Sequence, residues 1–144
     1  MKPTRLILAV VAVFVGVWLT DFLIHGVWLQ STYKETASLW RPEAEMQSHM
    51  GWLFLGQFVL SVVFVVIWSK GFPATASLCG SAWYGTFMGL AKQANTLVTY
   101  AVQPLPANLA VKWFVSGLVQ GALMGLLLYF VARPKSAQAA PQPA

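Results

Sequence analysis

A chain of 144 residues is the length of one domain, and this one is 58% hydrophobic and only 9% charged. A soluble domain carries about 25% charged residues, and one this short has too little interior to hide so much apolar side chain, so lipid must cover much of it. The net charge of +5 is spread between long apolar runs and forms no basic patch with interleaved aromatics, which excludes nucleic acid as a partner and leaves membrane orientation as the use for the cations.

A membrane span needs about 20 mostly apolar residues. The runs predict helices at about 6–30, 42–69, 76–101 and 109–131, within a single membrane domain over 1–132. The first follows Lys2 and Arg5, as a signal sequence would. No A-x-A-like site follows it, G-V-W-L-T-D standing at Gly16 to Asp21, so it reads as an uncleaved helix. The second is predicted to start near Pro42, above the membrane. Proline suits the first helical turn, and Glu43 and Glu45 there complement the helix dipole. Gly71 and Pro73 separate the second helix from the third, which Lys92, Gln93 and Asn95 interrupt. Pro104 and Pro106 end that helix, and Asn108 is the expected N-cap of the fourth. The tail, 133–144, is built largely of Ala, Pro and Gln without periodicity and predicts disorder. The single cysteine, Cys79, excludes an intrachain disulfide and reads as a small buried hydrophobe.

With four crossings, Lys2, Arg5, Lys70, Arg133 and Lys135 share one side. The other side holds Lys34, Arg41 and Lys112, offset by Glu35, Glu43 and Glu45. The basic excess marks the cytoplasm. The expected fold class is therefore all-α, a four-helix transmembrane bundle with N- and C-termini cytoplasmic. Trp28, Tyr33, Trp52, Tyr100 and Trp113 fall near the outer boundary, and Trp68, Tyr84 and Tyr129 near the inner one, where amphipathic rings settle.

Helices in lipid associate through small residues at every fourth position. Ser77, Ser81, Gly85 and Gly89 hold that spacing in the third helix, and Gly117, Gly121 and Gly125 in the fourth. Counted from the intervening turn, Gly89 matches Gly121 in depth and Gly85 matches Gly125, which predicts one close antiparallel pair.

Ionisable groups inside a span are costly and are functional candidates. Asp21 and Lys92 fall at one depth, with Gln57 and Gln120 within about two turns at 1.5 Å per residue. His25, one turn beyond Asp21, and Asn95 complete the expected polar layer. Two accounts of it stand open: a structural Asp21–Lys92 ion pair satisfied by the glutamines, or an outward-facing polar cavity that binds a solute or relays protons. Glu45 and His49 repeat the Asp21–His25 spacing across the first loop, so His25 and His49 with Glu45 could ligate haem or a metal. Two histidines without a third strong ligand under-determine such a site, and the expectation is no metal and no cofactor, with ligation as the alternative.

The stretches D-F-L-I-H-G, Asp21 to Gly26, and L-W-R-P-E-A-E-M, Leu39 to Met46, resemble an uncharacterised family of small bacterial four-helix inner-membrane proteins. The resemblance implies a bacterial inner membrane and supplies no activity. No nucleophile motif, phosphate loop or dinucleotide fingerprint occurs, so an enzyme is not expected. The first expectation is a non-enzymatic structural or accessory membrane component whose partners are the lipid bilayer and other membrane subunits. The alternative is a polar-cavity protein acting on a small solute, a proton or a metal through Asp21, His25 and Lys92.

Overall fold

The computed structural model describes residues 1–71 and 77–132. Pro73 and the tail expected to be disordered lie outside the described residues. Among the described residues every regular element is helical. α1 spans Pro3–Asp21, with proline at its first position, where the missing N–H costs nothing. It runs without a break into a π-helical stretch, Phe22–Trp28, in which the Leu29 N–H reaches five residues back to the Ile24 carbonyl at 2.8 Å. The first loop is itself helical: α2 is Gln30–Glu35 and a 3-10 turn covers Ala37–Leu39. α3 is Glu43–Ser48, α4 Met50–Gly71, α5 Leu78–Val102 and α6 Ala107–Ala132.

The second predicted helix is thus two helices. The break has a local cause. The Glu45 carbonyl, which would continue the helix by accepting the His49 N–H, instead receives the Ser48 hydroxyl at 2.7 Å and His49 Nδ1 at 2.9 Å. The displaced His49 N–H turns to Met46. Side chains that bond nearby backbone compete with helix in this way. Ser77 caps α5, its hydroxyl accepting the Gly80 N–H at 3.0 Å, and so does not extend the packing stripe. Asn108 lies inside α6, whose first N–H groups bond to the Pro106 carbonyl; with Pro106 at the cap position, Asn108 is two residues too late to cap it.

Three helical segments, Pro3–Trp28, Met50–Gly71 and Ala107–Ala132, are long and apolar enough to cross a membrane. α5 is as long, but Lys92, Gln93 and Asn95 dilute its hydropathy. The α5–α6 seam is the closest in the molecule. A Cβ on Gly85 would overlap the Gly121 carbonyl oxygen, one on Gly125 would overlap the Ser81 carbonyl, and one on Gly89 would lie 2.7 Å from the Gly117 carbonyl. Gly85 sits between Gly121 and Gly125, and Gly121 between Gly85 and Gly89, half a step from the pairing counted in the sequence. Gly16 brings α1 against Met124 of α6.

Three layers follow along the helix axes. At one end Val13, Val17, Phe64, Trp68, Met124 and Leu128 form an apolar core. At the other, Leu29, Leu105 and Leu109 pack with Tyr33, Trp40 and Trp113 beneath the first loop. The polar residues lie between. Two aromatics expected at the inner boundary are buried in the core instead: Trp68 is fully enclosed, and Tyr84 satisfies its hydroxyl by donating to the Phe64 carbonyl. A tyrosine with a backbone acceptor has no need to reach water. Cys79, by contrast, faces outward on the first turn of α5, not into a core.

Candidate functional site

Asp21 ends α1 and projects between the helices. Its Oδ1 accepts the amide of Gln120 from α6 at 2.6 Å, and its Oδ2 accepts the amide of Gln57 from α4. Gln120 Nε2 also donates to the Thr20 hydroxyl at 2.8 Å. Its oxygen accepts Lys92 Nζ of α5 at 3.3 Å. Gln120 therefore stands where a direct Asp21–Lys92 ion pair was expected. Among the described residues no such pair forms within 4.0 Å; Arg41–Glu45 is an exposed ion pair, and His25 Nε2 stands 4.0 Å from Asp21, an ion pair only when the ring is protonated. The physical reason is the chemistry of the amide. It carries a donor and an acceptor on adjacent atoms, and α6, which packs against both α1 and α5, delivers it between the two charges.

Beside this bridge is a cavity of about 280 Å³, lined by Asp21, Ile24 and His25, by Lys92, Gln93, Asn95 and Thr96, and by Trp113, Ser116, Gly117 and Gln120. The lining of α5 and α6 follows helical spacing, so each helix turns one polar face to the same space. Gln57 reaches Asp21 from α4 and does not line it. Gly117 keeps the wall open, since a Cβ there would collide with the Gln93 side chain.

His25 is fixed from above by the first loop. Its Nδ1 lies 2.5 Å from the Tyr33 hydroxyl, and Trp113 Nε1 lies 2.8 Å from the same oxygen. The indole can only donate, so the phenol oxygen is an acceptor there; towards His25 it either donates its O–H to a bare Nδ1 or accepts an Nδ1–H. In the first arrangement the neutral imidazole carries its proton on Nε2, which faces Asp21 Oδ1 at 4.0 Å, beyond hydrogen-bond range. Burial holds the Tyr33 phenol above the ordinary tyrosine value; the Trp113 hydrogen bond works against that, and the Asp21 charge adds to it. Trp40 closes the lid, its ring 5.4 Å from Tyr33 and 5.9 Å from Trp113, with its N–H held by Thr36 at 2.9 Å.

All six residues of the expected layer therefore meet around one cluster, five of them on the cavity wall and Gln57 behind Asp21. The alternative haem or metal set does not assemble. His25 is engaged with Tyr33, while His49 is exposed and bonded to its own turn of α3, and among the described residues no three His, Cys, Asp or Glu side chains gather. Tyr33, Trp113, Thr96 and Ser116 were not expected in the site. Trp113, Gly117 and Gln120 hold helical spacing, as do Lys92, Asn95 and Thr96, and those two stripes are the signal that could have found Trp113 and Thr96; nothing in the sequence brings Tyr33 to the site. No family model, curated protein or solved structure matches the chain.

Proposed function

We propose that this chain is a polar-cavity protein of the bacterial inner membrane that binds a small polar solute from the outer side. In this reading α1, α4, α5 and α6 cross the bilayer as a four-helix bundle, with both termini cytoplasmic and α2 and α3 outside. The observation that carries it is the cavity itself: a carboxylate, an ammonium and an imidazole face one space at membrane depth without forming the closed ion pair that would make them merely structural. Charged groups in a span ordinarily neutralise one another or line a path for a polar species. The basic bias of Lys2, Arg5 and Lys70 against the acidic first loop supports the orientation. The length of α5, 25 residues, suits a crossing whose polar residues turn toward neighbouring helices.

The reading is tested by thiol accessibility in proteoliposomes, in a Cys79→Ser background. A cysteine at Ser116, on the cavity wall, should react with a membrane-impermeant reagent added from outside. One at Val119, on the exposed face of α6, should not. An unreactive Ser116→Cys would sink the cavity reading, and reaction only from the inner side would reverse the orientation.

A further inference from the structure

The hydrogen-bonding capacity of the cavity wall is lopsided. Its one carboxylate, Asp21, already accepts an amide on each oxygen. The Thr96 hydroxyl is directed to Gln93 at 2.5 Å and the Ser116 hydroxyl to the Trp113 carbonyl at 3.1 Å. Asn95 adds an amide with both a donor and an acceptor, and the other unengaged groups are donors. Lys92 has three N–H bonds and a single acceptor, the Gln120 oxygen at a long 3.3 Å. When Nδ1 accepts the Tyr33 O–H, His25 presents Nε2–H with no acceptor in range among the described residues. Asp21 keeps a lone pair on each oxygen, but two amides from neighbouring helices already share its charge. An anion finds donors waiting.

Resting on the polar-cavity reading above, we infer that the ligand is a small carboxylate monoanion whose oxygens are received by Lys92 Nζ and His25 Nε2–H. A monoanion is favoured over a dianion because Asp21 keeps its charge beside the site. Doubling the ligand charge doubles that repulsion at low dielectric while Lys92 supplies only one countercharge. The cavity of about 280 Å³ has room for a carboxylate with a short tail, and the Ile24 and Trp113 side chains give that tail an apolar wall.

The test is ligand-detected saturation-transfer NMR on the full chain in phosphatidylcholine nanodiscs, with propionate, methylammonium and inorganic phosphate as separate probes. Propionate should give a saturable signal and outcompete phosphate. Lys92→Met should weaken it at least roughly tenfold, as removing one partner of a desolvated charge contact does, while Lys92→Arg retains most of it. Saturable methylammonium binding that Asp21→Asn abolishes would overturn the anion assignment and leave the cavity reading standing. So would the absence of any probe binding while Ser116→Cys stays reactive from outside. Loss of the propionate signal on replacing phosphatidylcholine with phosphatidylglycerol, not restored by salt that screens the anionic surface, would assign the site to the anionic lipid headgroup and overturn the soluble carboxylate. Should Lys92→Met not fold, by helical circular dichroism and monodisperse elution, Lys92→Gln replaces it, and the preference of the wild type for propionate over methylammonium still decides the sign of the ligand.

Discussion

The α5–α6 seam and the α1–α4 side of the molecule are both antiparallel helix contacts, built in opposite ways. Between α5 and α6 the backbones touch, because Ser81, Gly85, Gly89, Gly117, Gly121 and Gly125 put nothing between them. Between α1 and α4 the spacers are rings. Trp18 stacks on Phe54 at 4.2 Å, and Phe14 meets Phe58 edge-on at 6.0 Å. The first half of α4 is otherwise exposed, with only Gln57 reaching inward. Lipid gives helices no hydrophobic reason to associate, so close packing and interhelical hydrogen bonds decide how tightly they pair. The difference shows where rigidity and space come from in this fold. Glycine welds α5 and α6 into a fixed wall of the polar cavity, while α4, held through rings, contributes no residue to its lining.

The sharpest way to break the comparison is to put bulk on each side of it. Gly121→Leu places a side chain where a Cβ alone would already overlap the Gly85 carbonyl. Backbone cannot rotate out of the way, so the helices must part, and the expected loss is about 3 kcal/mol or more, at or above the usual range for overpacking. Gly56→Leu on α4 meets nothing within 4 Å and should change stability by less than about 0.5 kcal/mol. Thermal unfolding in detergent measures both. Equal losses at the two positions would show that α5 and α6 are no more closely joined than α1 and α4.

The polar cluster separates the two regions next. Gln120→Leu removes the group that satisfies Asp21 from α6 and leaves a buried carboxylate oxygen without that partner. A hydrogen bond to a charged group contributes about 1.5–3 kcal/mol, and the loss should fall there. In double-mutant cycles Asp21 should couple to Gln120 more strongly than to Lys92, because Asp21 and Lys92 meet only through the amide. Coupling of Asp21 to Lys92 as large as that to Gln120 would restore the direct ion pair.

This cluster also shows what the sequence could and could not convey. The glycine stripes were legible because a period of four on two neighbouring helices has one geometric meaning in lipid. The depth of Asp21, Gln57, Lys92 and Gln120 was legible because rise per residue is fixed. The partner of each was not, since equal depth leaves rotation about the helix axis open, and an amide of α6 stands between the two charges. The π-helical stretch at Phe22–Trp28 was not legible either; an extra residue per turn leaves the hydropathy of F-L-I-H-G-V-W unchanged. Tyr33 and Trp113 read as interface rings because composition reports amphipathic character alone. The helical first loop is what brings Tyr33 back over His25.

A smaller effect is expected on the ring side. Phe54→Ala removes the stack on Trp18 from a half-exposed position. With lipid replacing the ring, little apolar transfer is lost, so the cost should be near the value of an aromatic pair, about 1 kcal/mol. A loss matching that of Gly121→Leu would mean that α4 is held as rigidly as α5.

The smallest effect concerns the lid, and its sign follows from Tyr33. The phenol sits in α2, outside the apolar spans, where burial holds its proton above the ordinary tyrosine value, which is about 10. The folded protein therefore binds this proton more tightly than the unfolded chain does, and in the window above about pH 10 unfolding releases it. The contribution is fully present below that window and is lost as pH rises through the raised value. Ionising Tyr33 also leaves its oxygen able only to accept in the contact with His25 Nδ1. Wild type should lose thermal stability more steeply than Tyr33→Phe as pH is raised from about 9 to 12, because lysines and the other tyrosines titrate in both and only this phenol differs. Parallel curves would show that the Tyr33 proton is held no more tightly in the fold than in the unfolded chain, and that the first loop is not bonded over His25.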